Sequence, residues 1–333
     1  MPARRRLAFA AAAVVLAVAV AAGALLAIDV DLHGRYEQSA GFNVWGYRGG
    51  TVGRKKPGEY RIVVLGGSSA YGYGVSADEA LPAVLERLLR MRSPRFTVVN
   101  LAYNNEGAYS FKPTLQDYRW LDYDLAFLYE GYNDLADDDR VNVAVFRHDS
   151  PIFRLTGYLP IFPIIFREKA ATLHGGKTVF AGALRTTADV ASALEAQLGR
   201  VSAEPSHVIA GGSDGCHAPW GPYCRSIAAA IDYARSEQAR VIVGTQPYLR
   251  VSALVHDKHV AQQNELRAML SRRFGGDADV RYVNLGDAVD LRDPSLSFDQ
   301  MHLTASGNER IAMALVEPVL EMAAHDPRQK ASS

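Results

Sequence analysis

Only two cysteines occur in 333 residues, and neither sign of charge is in excess: 36 Lys and Arg stand against 36 Asp and Glu. So little cysteine excludes a small disulfide-built scaffold. Without a basic surplus the chain does not read as a dedicated nucleic-acid binder, and no nucleic-acid partner is expected. CxxC and HExxH are missing, and with them the common zinc patterns. GxGxxG and the P-loop pattern are missing as well, so no dinucleotide or nucleoside triphosphate is implied. No metal and no organic cofactor is expected. There is no internal repeat, no low-complexity tract and no second apolar run able to cross a bilayer. At 48% hydrophobic and 22% charged residues, the chain is composed like an ordinary folded protein.

The long apolar run that does occur is at the N-terminus. Residues 7–28 carry no charge and no proline. As a helix they extend about 33 Å, matching a hydrocarbon core of about 30 Å. Arg4, Arg5 and Arg6 directly precede the run, and the positive-inside bias places them in the cytoplasm and the body outside it. The expectation is a single-pass signal-anchor in the cytoplasmic membrane, residues 1–30, with a periplasmic or extracellular body. A cleaved signal peptide is the alternative, since Ala19-Val20-Ala21 and Ala22-Gly23-Ala24 resemble cleavage sites. Export suits the cysteines: Cys216 and Cys224 bracket the turn-rich HAPWGPY, and pairing across it is expected to support the neighbouring chain locally, at a distance from the strand ends. Free thiols, or a metal site with His207 and His217, are the other readings of the same residues.

Five short apolar runs read as buried parallel strands: 61–66, 96–101, 124–130, 240–245 and 280–285. Helical periodicity lies between them. Leu81, Val84, Leu85, Leu88 and Leu89 share one face, with Asp78 placed to cap it, and similar faces run over 227–234, 266–274 and 311–320. Strand–helix alternation predicts an α/β fold, a parallel sheet covered on both sides, with ligands at the carboxyl ends of its strands. Residues 31–60 hold seven glycines but also Tyr36, Phe42, Trp45, Tyr47 and Tyr60, so an ordered connector is expected. Residues 61–325 form the main domain, with an insertion over 137–222, and 326–333 are a polar tail. Within the insertion, residues 151–166 (PIFRLTGYLPIFPIIF) are apolar but broken by three prolines. They suit a lid, a membrane-surface contact or plain packing on the core.

Candidate chemistry collects at the strand ends. LGGSSAYGYGV after the first strand sets Ser68 at a strand-to-helix turn with small neighbours. NLAYNNEGAYS after the second offers the backbone N–H of Gly107. YEGYND after the third places the Asn133 amide where it can donate to developing negative charge. DQMHLT, near the C-terminus, sets Asp299 and His302 three residues apart, spacing that lets the carboxylate meet one imidazole nitrogen while the other faces a serine. Thr304 or Ser306 can cap the helix that follows. Gln246, Tyr71, Tyr73 and Tyr132 are candidates for lining the cleft, and His256 and His259 are expected to be solvated.

Taken in order, these blocks resemble the SGNH (GDSL-type) hydrolase family. GGSSAYG stands for its GDS-x-x-x-G block, GYND for GxND and DQMHLT for DxxH, over roughly residues 61–322. The family's usual Asp before the serine is Gly67 here. NVWGYRGG, ahead of the domain, is similar to membrane-anchored bacterial members. The resemblance implies a three-layer α/β/α, flavodoxin-like fold with a five-stranded parallel sheet. It also implies a serine esterase acting through an acyl-serine. In that scheme Ser68 is the nucleophile, His302 the base and Asp299 its orienting partner, with an oxyanion hole from the Ser68 and Gly107 N–H groups and the Asn133 side chain. The implied partner is an acyl-ester substrate, an envelope glycan or lipid. An O-acyltransferase with the same residues, and a non-catalytic binding module, are the competing functions.

Overall fold

The computed structural model describes residues 3–36, 41–135, 147–163, 215–217 and 219–326. Five strands within them form one parallel sheet: β1 (Tyr60–Gly66), β2 (Phe96–Asn100), β3 (Leu125–Tyr129), β4 (Arg240–Gly244) and β5 (Val280–Val283), in the order β2-β1-β3-β4-β5. Alternate residues of the strands serve opposite cores. Ile62, Val64, Phe127 and Ile242 face one side, while Val63, Leu65, Leu128, Val241 and Val243 face the other. Every residue of β1 and β3 is buried, which explains why β3 reads as an unbroken apolar run and β1 as one after Arg61. Each buried Val, Leu or Ile contributes about 1.5–3 kcal/mol over exposure.

The first face is covered by α3 (Leu81–Arg92) and α8 (Ala305–Ala324). The second is covered by α4 (Phe111–Asp117), α6 (Gly221–Ser236) and much of α7 (Ala253–Phe274). This is the three-layer α/β/α arrangement expected. Asp78 does not cap α3. Ala80 holds that position without a side-chain bond, and Pro82 in the first turn fixes the start of the helix. α8 is capped by Thr304, whose Oγ1 accepts from the Gly307 N–H at 3.2 Å, and not by Ser306. β5 stops two residues before its expected end because Asn284 turns the chain, its Oδ1 accepting from the Gly286 N–H.

The N-terminal helix α1 (Ala3–Tyr36) is long and apolar enough to cross a membrane. It runs eight residues beyond Ile28, because the polar residues there find partners on the body. Asp29, 4% exposed, accepts from the Phe162 N–H at 2.5 Å and from the Tyr158 hydroxyl. His33, 1% exposed, places its two ring nitrogens 2.7 Å from the Phe42 carbonyl and 2.9 Å from that of Leu159. Phe42, Tyr47 and Tyr60 are buried, so the chain from 41 to 60 packs on the domain. Of residues 151–166, Pro151–Thr156 form the short helix α5, with Phe153 inward and Ile152 and Leu155 exposed, and Leu159 is buried. His207 and most of the insertion lie outside the described residues.

Candidate active site

Between β1 and β3 the crossovers leave the sheet in opposite directions. In parallel sheets such a switch point opens a crevice at the carboxyl ends of the strands. Both chemical blocks flank it. β1 ends at Gly66, Gly67 caps the four-residue helix α2 (Ser68–Tyr71), and Ser68 opens that helix half-buried. Asn133 lies four residues past the end of β3 with an exposed side chain.

His302 approaches Ser68 from the loop before α8. Its Nε2 is 2.8 Å from Ser68 Oγ, and its Nδ1 is 2.6 Å from Asp299 Oδ2. Asp299 is fully buried. Its other oxygen accepts from the backbone N–H groups of Met301 at 3.0 Å and His302 at 2.7 Å. The three-residue spacing thus closes a side-chain-to-backbone turn that sets the carboxylate against the imidazole. Gln300 takes a left-handed φ of 63° to close it. With a carboxylate at Nδ1, that nitrogen carries the proton, and Nε2 is left to accept from the serine hydroxyl.

Aromatic rings wall the imidazole. Tyr73 lies 4.6 Å from it between ring centroids, and Phe298 stacks on it at 5.9 Å and 14°. Gly74 permits this arrangement: it has φ +85°, and a Cβ there would come within 2.6 Å of Phe298 Cε1. Phe298 is a wall residue that the sequence reading missed, since one aromatic before DxxH carries no signal of its own.

One N–H of the Asn133 amide donates to the Glu106 carbonyl at 2.7 Å, which fixes the amide plane and leaves its second hydrogen for a ligand. Gly107 is buried at the start of a short 3-10 turn, beside the carboxyl of Asp134, which accepts from the Ala108 N–H at 2.9 Å. Three acids stand close behind. Burial pushes Glu106 up to about 7 against the opposing pull of Arg147, 3.8 Å away. Burial likewise raises Glu130, with the Asp134 charge adding to the effect, and burial raises Asp134.

The turn carrying Ser68 is held from outside by Arg48, another residue the sequence reading missed. Its guanidinium donates to the carbonyls of Tyr71 at 2.5 Å, Gly72 at 2.7 Å and Val75 at 2.6 Å, and sits 4.4 Å from the Tyr71 ring centroid. Arg48 belongs to NVWGYRGG, so the connector segment braces the serine turn directly.

Three residues expected to contact substrate are packed behind the site instead. Tyr71 is 2% exposed and lies in the core with Phe42. Tyr132 is buried with its hydroxyl on the Pro247 carbonyl. Gln246, also buried, spends its Oε1 on the Tyr132 N–H at 2.8 Å. The polar atoms of Tyr132 and Gln246 therefore hold the loop after β3 to the segment after β4. His259 is not solvated. It is fully buried on α7, its Nδ1 accepting from the Leu249 N–H at 3.2 Å, and burial with His256 nearby lowers it to about 3. His256 is half-buried with Nδ1 3.0 Å from the Leu249 carbonyl.

Cys216 and Cys224 form a disulfide with Cα atoms 5.8 Å apart. His217 pairs with Glu265 at 3.0 Å. The bridge is closer to the site than expected. Trp220, inside the bridged loop, donates to the Leu135 carbonyl at 3.1 Å, and Tyr223 donates to that of Glu130 at 3.0 Å.

At the carboxyl edge of an all-parallel sheet in a three-layer α/β fold, Ser68, His302 and Asp299 are joined by hydrogen bonds in the Ser-His-Asp order that serine hydrolases use. The chain belongs to the GDSL-like Lipase/Acylhydrolase family, whose profile matches residues 64–310, and it is a hydrolase acting on ester bonds. It is similar to the solved lipase/acylhydrolase from Enterococcus faecalis, at 15% identity, covering 78% of this chain and 95% of that one, with a TM-score of 0.44. It is also similar to the acetyl xylan esterase AlAXEase, at 12% identity, 78% and 99% coverage and a TM-score of 0.43. The esterase EstA from Pseudoalteromonas sp. is 9% identical, with 80% and 100% coverage and a TM-score of 0.40. None of the curated proteins compared with the chain matches it.

Proposed function

We propose that the protein cleaves a carboxylic ester through an acyl-serine on Ser68. The observation that carries this reading is the unbroken line from Ser68 Oγ through His302 to Asp299, at 2.8 and 2.6 Å. His302 Nε2 takes the hydroxyl proton as Oγ attacks the ester carbonyl, and Asp299 stabilises the imidazolium that results. The oxyanion is met by the N–H groups of Ser68 and Gly107 and by the free N–H of Asn133. Collapse breaks the ester C–O bond, and His302 returns its proton to the departing alcohol. Water, deprotonated by His302, then releases the acid and restores Ser68. The test is a fluorophosphonate probe with peptide mapping. The adduct is expected on Ser68 and is expected to vanish in Ser68→Ala; an adduct on Ser69, or full esterase activity in Ser68→Ala, would overturn the assignment.

We further propose that α1 anchors the body at the outer face of the cytoplasmic membrane, where acylated envelope glycans or lipids are the available esters. Support comes from the arginines ahead of the apolar run and from the buried bonds of Asp29 and His33, which make the helix end part of the body. The full-length protein is expected to stay with membranes through salt and alkaline washing, and a C-terminal alkaline phosphatase fusion is expected to be active. Soluble protein beginning near Ala22 or Leu25 would show cleavage instead.

A further inference from the structure

The mechanism above makes no use of Glu130, a carboxylate only 1% exposed at the centre of the site's scaffold. Its Oε2 accepts from the Gly67 N–H at 2.5 Å, across to the turn that carries the serine. Its Oε1 accepts from the N–H groups of Gly131 at 2.9 Å and Asn133 at 3.1 Å, on its own loop. One carboxylate therefore ties the peptide just before Ser68 to the peptide that carries the Asn133 side chain. The fit at residue 67 is close. A Cβ there would collide with Asn133 Nδ2 and lie 2.6 Å from Glu130 Oε2 and 2.9 Å from the Glu106 carbonyl. The space beside Ser68 is filled from the loops after β2 and β3, and an acidic side chain at residue 67 has no room.

Resting on the acyl-serine reading, we infer that Glu130 is a positioning residue for the oxyanion-binding groups, holding the Ser68 turn and Asn133 in one frame. It does not touch the reacting atoms, so its effect passes through those two partners. Three backbone N–H groups converge on it. Losing their acceptor leaves buried donors unpaired and lets the two loops move independently. The predicted signature is a loss of turnover with little change in substrate affinity, because the displaced groups act on charge that develops only in the transition state.

The test is hydrolysis of p-nitrophenyl acetate by the full-length protein in detergent. Glu130→Gln, which keeps the shape but sets an NH2 against a backbone N–H, is expected to lower kcat about 10- to 100-fold with KM within about threefold, the scale of a misplaced catalytic group. In an Asn133→Ala background the same change is expected to cost clearly less than in the wild type, because one of its two targets is already gone. Equal losses in both backgrounds, or wild-type kcat in folded Glu130→Gln, would overturn the inference. Near-UV circular dichroism checks the fold. If Glu130→Gln does not fold, Glu130→Asp, which withdraws the carboxylate by one methylene, is measured with the same expected pattern. Ser68→Ala is assayed in parallel: activity there overturns the acyl-serine reading, whereas an inactive Ser68→Ala beside unaffected Glu130 variants overturns this inference alone.

Discussion

Asp299 shows how much one short motif settles. A single oxygen meets two backbone N–H groups and the other meets the imidazole, so the residue builds its own loop and orients His302 together. Asp299→Asn therefore separates the two tasks. The amide oxygen still closes the turn, but the amide NH2 then faces Nδ1 and favours the tautomer with the proton on Nε2. Turnover is expected to fall by about 10⁴, as for the equivalent change in a serine protease, with the melting temperature close to that of the wild type. Near-normal turnover in this variant would remove Asp299 from the proposed mechanism. Residues such as these were legible because their partners are near in sequence or belong to a spaced set of motifs. Glu130 and Arg48 were not. Gly67 lies 63 residues from Glu130 and Tyr71 lies 23 from Arg48, and only the fold brings each pair together.

Among the elements, the five strands were legible to within one or two residues because their centres are runs of Val, Ile, Leu and aromatic side chains, buried on both faces in β1, β3 and β4. Helix starts were harder to read. Asp78 has the right chemistry for a cap, yet Pro82 decides where α3 begins. α7 misled in another way. Its inward positions include His259, Gln262 and Gln263, so polarity gave no guide to which side faces the core. Those side chains have partners in the fold: Gln262 Nε2 donates to the carbonyls of Gly131 at 3.0 Å and Asp134 at 2.7 Å, bracing the loop of Asn133 from below. The three expected substrate contacts Tyr71, Tyr132 and Gln246 failed for a related reason. Sequence places a residue at the sheet edge but does not say whether it turns toward the cleft or the core.

Taken as a whole, the molecule buries acids where most proteins pair them at the surface, and this sets its response to pH. Glu106 titrates near 7 when folded, well above the unfolded carboxyl range, and Glu130 and Asp134 are raised as well. For a raised carboxyl the folded state holds its proton longer. The stability this gives is complete below the unfolded pKa and lost as pH climbs through the folded one. His259 pulls the other way, since its folded value is lowered to about 3, but that contribution is largely complete above about 6.5. Between pH 6.5 and 8.5 the acids therefore dominate, and the melting temperature is expected to fall as pH rises. Glu106→Gln is expected to flatten that slope; an unchanged slope would show that Glu106 is not a source of it.

The bonds from Asp29 and His33 into the body have a mechanical consequence. A catalytic domain on a flexible leash sweeps a dome above its attachment point and samples every height within reach. Here α1 enters the body through buried hydrogen bonds to Phe42, Leu159 and Phe162. With α1 anchored as proposed, the body rides at one altitude and turns about one axis. The esters it can reach are then confined to a shell of fixed depth, selected by elevation before any pocket selects by shape.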